Sequence, residues 1–237
     1  MQENNHKLIV FDLDGTLLDT LDDLAGSTNW ALRKHGLPER TTDEIRSFVG
    51  NGTRLLIQRA VPDDMTVEEA NEIFDGFTRH YNEHLNDTTK PYAGIMDTLT
   101  ELREEGYLLG MLSNKPHPAV LDLAELYFQG RFDHMAGEKP GVPRKPDPTS
   151  LLNMMRDAGV TPENTIYIGD SEPDAQTVTA AGTHGIGVLW GFRSREELQK
   201  AGMKHYVSHP SEIRALSREL LNTKPLASSE QERKSTL

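Results

Sequence analysis

A parallel α/β sheet covered by helices, with a helical insert after its first strand, is the fold this sequence predicts. Three observations carry it. The chain opens on an apolar run, KLIVF (residues 7–11), that stops abruptly at a DLDGT turn. From position 91 onward, apolar runs of strand length alternate with helical patterns. Between these two regions, residues 17–90 show helical spacing and no strand signal.

Each element follows from its own pattern. YLLGML (107–112), NTIYIG (164–169) and HGIGVLW (184–190) read as buried strands, because strands covered on both faces carry unbroken apolar runs. HYVS (205–208) is a weaker one. Helical patterns fall at 94–105, 117–128, 148–158, 173–181, 194–201 and 210–222. Ser194 and Glu197 have capping-box spacing, and Pro210 suits a helix start. In the insert, Leu17, Leu21, Leu24, Thr28 and Ala31 give a helix that Gly36 stops. Thr42, Ile45, Phe48 and Val49 give a short second one. Leu55, Leu56, Ala60 and Val61 suit a third before Pro62, and Thr66 with Glu69 caps a fourth carrying Ala70, Ile73, Phe74, Phe77 and Tyr81. The expected division is 1–16 plus 91–222 as the sheet domain and 17–90 as a helical cap. The polar, patternless segment 223–237 reads as a disordered tail.

Composition narrows the function. The 237 residues suffice for one sizeable core, or for a core plus a small second domain. A net charge of −12 argues against a nucleic-acid or anionic-membrane surface, but a few focused cations still permit a small anionic substrate. The absence of cysteine removes disulfides, thiol nucleophiles and Cys-based zinc sites, and it is compatible with a reducing cytoplasm. No signal-peptide pattern and no membrane-length apolar run occurs, so the expectation is a cytoplasmic protein, monomer or homodimer. None of the nine histidines falls in H-x-H or H-E-x-x-H spacing.

In open parallel sheets, ligands bind beyond the carboxyl ends of the strands. Here three strands end in polar residues: Asp12, Ser113 and Asp170. The proline-rich GVPRKPDP (141–148) would hold Lys145 on an extended loop nearby. Taken singly, each feature has a bland explanation as a turn, a helix cap or a solvated lysine. The ordered set of DxDGT, SN, K and GDSEPD is much harder to obtain by chance.

With those four motifs in hand, the chain resembles the haloacid dehalogenase superfamily of phosphohydrolases over residues 6–222, and SNKP (113–116), KPDP and GDSEPD look most like its phosphoglycolate phosphatases. The resemblance implies a Rossmann-like core, a helical cap and a Mg²⁺-dependent reaction on a small phosphorylated metabolite. Asp12 would be the nucleophile and Asp14 the general acid and then base. The metal ligands would be the Asp12 carboxylate, the Asp14 backbone carbonyl and Asp170. Asp174 would join that metal site, orienting the shell or coordinating through water, or would simply favour its helix start. Ser113 would donate to a phosphoryl oxygen, helped by N–H groups around Gly15, Thr16 and Asn114, and Lys145 would neutralise phosphoryl charge. Lys115 is assigned to helix-start solvation. In the VGNGTR turn (49–54), Arg54 is either a partner for a substrate carboxylate or a plain solvated arginine.

Rival readings share the fold. A dehalogenase would have no use for Asp14, and a phosphonate hydrolase needs a cap lysine that only Lys34 could supply. A phosphomutase, a pyrophosphatase, a nucleotidase and a phospho-accepting signalling module remain open at this stage.

Overall fold

The computed structural model describes residues 6–222; the expected tail at 223–237 lies outside them. Among the described residues, eight strands and ten α-helices follow one another. The strands are β1 (Leu8–Phe11), β2 (Leu18–Asp19), β3 (Lys90–Pro91), β4 (Leu108–Pro116), β5 (His134–Glu138), β6 (Thr165–Gly169), β7 (His184–Val188) and β8 (His205–Val207). The helices are α1 (Leu21–Lys34), α2 (Thr42–Phe48), α3 (Thr53–Ala60), α4 (Val67–Glu83), α5 (Ile95–Glu104), α6 (His117–Phe128), α7 (Thr149–Ala158), α8 (Glu172–Ala181), α9 (Arg195–Lys200) and α10 (Ser211–Asn222).

Six strands form one parallel sheet in the order β5-β4-β1-β6-β7-β8. β1 lies between β4 and β6, with Val10 opposite Gly110 on one side and Tyr167 on the other. Its four residues are fully buried because alternate side chains enter two different cores. Ile9 and Phe11 join Leu99, Leu123 and Ile213 from α5, α6 and α10; Leu8 and Val10 join Leu151, Met154 and Val178 from α7 and α8. That double covering explains the unbroken apolar run. β5 (HMAGE) is an edge strand with half-exposed residues and no apolar run, so sequence patterning gives no sign of it.

α1 to α4 pack around a third cluster that includes Leu24, Ile45, Leu56, Ile57, Ile73 and Phe77. Reciprocal capping boxes start α2 (Thr41, Glu44), α4 (Thr66, Glu69) and α9 (Ser194, Glu197). The chain enters and leaves this helical unit through the antiparallel ribbon β2–β3. Leu17 and Leu18 still belong to the sheet's core cluster, so the helices begin slightly later than the apolar spacing suggests. Asp23 braces the ribbon by accepting from the N–H groups and hydroxyls of both Thr88 and Thr89. On the far side, buried Arg193 donates to the carbonyls of Arg46, Ser47 and Val49 at the end of α2, and its Nε pairs with Glu172.

Candidate active site

The first carboxylate is placed by backbone alone. Asp12 N–H continues the ladder to Ile168 O (2.9 Å), and Leu13 N–H turns back onto Asp12 Oδ1 (2.7 Å). Asp12 Oδ2 accepts no hydrogen bond among the described residues. Gly15 has φ +81°, and a Cβ there would lie 2.3 Å from Asp170 Oδ2, so the turn after β1 accepts only glycine. β6 ends in the same way, since a Cβ on Gly169 would lie 2.4 Å from Asp174 Cγ. These close approaches bring oxygens of Asp12, Asp170 and Asp174 within 4.8 Å of one another.

Lys145, on the loop before α7, reaches into this cluster. Its Nζ lies 2.9 Å from Asp12 Oδ1 and 2.7 Å from Asp174 Oδ1, and it donates to Tyr167 Oη at 2.8 Å. Asp174 is fully buried, and both its oxygens are occupied. Oδ1 holds Lys145 and Tyr167, while Oδ2 accepts from Asp170 N–H, Ser171 N–H and Ser171 Oγ. It therefore caps α8 and braces Lys145 at the same time. Asp170 accepts from Thr16 Oγ1 (3.2 Å) and Phe192 N–H (2.7 Å).

Burial, joined by the charge of Asp174, pushes the Asp12 carboxyl well above the ordinary carboxylate range, and Lys145 only partly offsets this. Burial and Asp174 likewise push Asp170 up to about 7. Burial disfavours the Lys145 ammonium, but Asp12 and Asp174 outweigh it and hold its pKa above the usual lysine value. Three buried carboxylates against one ammonium leave excess negative charge around oxygen donors. That donor set fits a hard cation.

Ionising Asp170 inside the fold is costly. Because its folded pKa exceeds the unfolded value, the folded chain holds a proton that the unfolded chain has released between about pH 4 and 7, and stability falls across that window. With divalent ions chelated, Asp170→Asn is expected to melt close to wild type near pH 4.5. It should become more stable by roughly 2–4 kcal/mol by pH 7.5. Thermal melts of both proteins across that range, in which the histidine contributions cancel, provide the check.

Asp14 and Ser113 open onto a cavity of about 30 Å³ that Asn114 and Lys115 also line. Leu24, Val49, Gly50, Gly52, Thr53 and Leu56 of the helical unit close its other side. Ser113 Oγ accepts Lys115 N–H (3.2 Å), and its own hydrogen has no acceptor among the described residues. Asn114 acts through its side chain, donating to Gly50 O and Lys145 O and accepting Lys145 N–H.

Several assignments change. Gly15 and Thr16 do not offer their N–H groups to the cavity: Gly15 donates to Leu18 O and Thr16 to Leu13 O, because so tight a turn must satisfy its own backbone. Arg54 is not brought to the cavity. Its guanidinium donates to Asn71 Oδ1 (2.6 Å) and stacks over Phe74 at 4.2 Å, on the surface of the helical unit. Lys115 is not solvated. β4 runs on to Pro116 with a register break after Leu112, and Lys115 is buried there, with Nζ 2.9 Å from Asp14 Oδ1 and 2.7 Å from Tyr81 Oη. Sequence reasoning also missed Tyr81, whose helical spacing marks it as core, and Tyr167, an aromatic inside an apolar run.

A capped parallel sheet whose first strand ends in a buried carboxylate, faced by a lysine and two further aspartates, defines an aspartate-centred α/β hydrolase. The family model described as haloacid dehalogenase-like hydrolase matches residues 9–188, and the chain belongs to that family. It is similar to a phosphoglycolate phosphatase of Pseudomonas putida, 35% identical over 196 residues that cover 78% of this chain and 70% of the relative. It is also similar to one of Aliivibrio fischeri, 33% identical, covering 81% of this chain and 88% of the relative. Among solved structures, a proposed phosphoglycolate phosphatase from Lactobacillus delbrueckii subsp. bulgaricus superposes with a TM-score of 0.85 at 34% identity, covering 92% of this chain and 99% of that one.

Proposed function

We propose that the protein is a Mg²⁺-dependent phosphatase of small phosphate monoesters, 2-phosphoglycolate foremost, working through an aspartyl-phosphate on Asp12. The observation that carries this reading is the state of Asp12. One oxygen is fixed by Lys145 and Leu13 N–H, and the other, beside the acidic cluster, accepts no hydrogen bond among the described residues. Asp12, the Asp14 carbonyl and Asp170 would hold the ion, with Asp174 bracing Lys145 rather than ligating. When bound, Mg²⁺ neutralises charge on the phosphoryl oxygens.

Asp12 attacks phosphorus, and the bond to the leaving oxygen breaks as Asp14 supplies its proton. A water then attacks phosphorus and gives its proton to Asp14 as the bond from phosphorus to Asp12 breaks, which frees phosphate and restores the Asp12 carboxylate. Ser113 and Lys145 hold the transferring group throughout. The substrate assignment is supported by the names of the relatives and by the cap wall of the cavity. The first turn of α3 meets the cavity through Gly52 and Thr53, where the positive end of the peptide dipoles suits a carboxylate on the leaving group. Lack of cysteine accords with a cytoplasmic location, and no described helix is long and apolar enough to cross a membrane.

Inorganic phosphate release tests the reading. The substrates are 2-phosphoglycolate, glycerol phosphate, a sugar phosphate, a nucleoside monophosphate and pyrophosphate, each with Mg²⁺ or with a chelator. The highest kcat/KM is expected for 2-phosphoglycolate, with turnover lost on chelation. Preference for a nucleotide or for pyrophosphate would replace the substrate, and no release from any of the panel would remove the phosphatase reading.

A further inference from the structure

Each carboxylate of the DxD pair has its own buried lysine, and each lysine is backed by a tyrosine hydroxyl. Lys145 pairs with Asp12 and donates to Tyr167 Oη; Lys115 pairs with Asp14 and donates to Tyr81 Oη. The two lysine side chains are 2% and 1% exposed. The second arrangement differs from the first in where its tyrosine comes from. Tyr167 lies on β6 inside the sheet, whereas Tyr81 lies on α4, its ring stacked on Phe77 at 5.4 Å within the cap's apolar cluster.

Lys115 supplies the only hydrogen bonds that the Asp14 carboxylate accepts among the described residues, at 2.9 and 3.3 Å. An ammonium has three donors. With one on Asp14 and one on Tyr81, the direction of the third and the position of Asp14 are both set. Burying a lone ammonium is costly, so this side chain stays folded inward only while its partners are present.

We infer that Lys115 and Tyr81 are positioning residues for Asp14, so that proton transfer by Asp14 depends on a cap residue while Asp12 is held by core residues alone. The inference rests on the phosphatase reading above. It separates the two chemical events. An alkyl ester needs Asp14 in the first step, to protonate the departing alkoxide. p-Nitrophenyl phosphate does not, since nitrophenolate leaves unprotonated; with it, Asp14 is needed only afterwards, to take a proton from the attacking water.

The test uses Tyr81→Phe, which removes one hydroxyl and keeps the ring packing, and Lys115→Met, followed by rapid mixing in saturating Mg²⁺. With p-nitrophenyl phosphate, each variant is expected to release one equivalent of nitrophenolate per enzyme in a burst. Its rate should lie within about threefold of the wild-type first turnover, and a steady rate about 10–100-fold slower should follow, a fraction of what general acid–base catalysis supplies. With 2-phosphoglycolate, the first turnover itself is expected to fall at least about tenfold. Equal losses in burst and steady rate, or equal losses for both esters, would make Lys115 merely structural and overturn the inference. A Tyr81→Phe enzyme indistinguishable from wild type would overturn the cap's part in it. A wild type inactive on both esters would overturn the phosphatase reading as well, which tells the two failures apart.

Discussion

Asp12→Asn will abolish phosphate release and leave the metal-free fold at least as stable as wild type. Asn keeps the shape of the side chain, and its carbonyl oxygen can still accept Leu13 N–H at the end of β1. It cannot form the acyl phosphate, so turnover of 2-phosphoglycolate is expected to drop by more than about 10³-fold, the scale seen when a nucleophile is removed. Stability moves the other way because ionised Asp12 is disfavoured by burial and by the charge of Asp174 and Asp170, and the amide removes that charge. Lys145 loses one partner but keeps Asp174 and Tyr167. Steady-state assays with Mg²⁺ and chelated thermal melts above pH 7 read the two effects separately. Retained turnover would end the nucleophile assignment. A large loss of stability would mean that the Asp12–Lys145 pair holds the fold together rather than straining it.

Most of this site was legible because it sits where strands end, and strands buried on both faces announce themselves. The apolar runs closing at Asp12, Ser113 and Asp170 needed only the rule that parallel strand ends share a rim. What could not be read were side chains whose roles depend on a neighbour from another element. Lys115 stands at the start of a helical pattern, where solvation is the ordinary outcome. The irregular extension of β4 to Pro116, past a register break after Leu112, carries it inward instead. Tyr81 follows cap spacing faithfully, and nothing in that spacing reveals that its hydroxyl leaves the apolar cluster for a core lysine. The VGNGTR segment misleads in the opposite direction. Its glycines do line the cavity, but α3 begins at Thr53, and its first turn directs Arg54 to Asn71 and Phe74 instead. The motif leaves Asp174 between the metal shell and a helix start; its Oδ2 does cap α8, and its Oδ1 holds Lys145, a partner that no spacing reveals. β5 lacks any apolar signature because an edge position demands none.

Lys145→Met will damage stability as much as catalysis, and its damage will depend on pH. The ammonium lies against Asp12 and Asp174 and is the only cation within salt-bridge distance of either among the described residues. Methionine fills the stem volume but leaves the carboxylates of Asp12, Asp170 and Asp174 facing one another without a counter-charge. Breaking a buried pair in this way costs about 3–5 kcal/mol. Removing the cation raises further the proton affinities that burial has already raised at Asp12 and Asp170. The folded variant then holds protons that the unfolded chain has released, so its deficit relative to wild type is small near pH 4.5 and grows as pH rises past 7. Mg²⁺ should recover part of the lost stability at pH 7.5, where the carboxylates are free to take it, and little at pH 4.5. Activity should not return with the metal, because Lys145 also fixes Asp12 Oδ1 and with it the direction of the carboxylate. Urea denaturation of both proteins at the two pH values, with chelator and with Mg²⁺, gives the four comparisons. A deficit that stays constant with pH would show that Lys145 acts through packing, and the electrostatic account of the cluster would then be wrong.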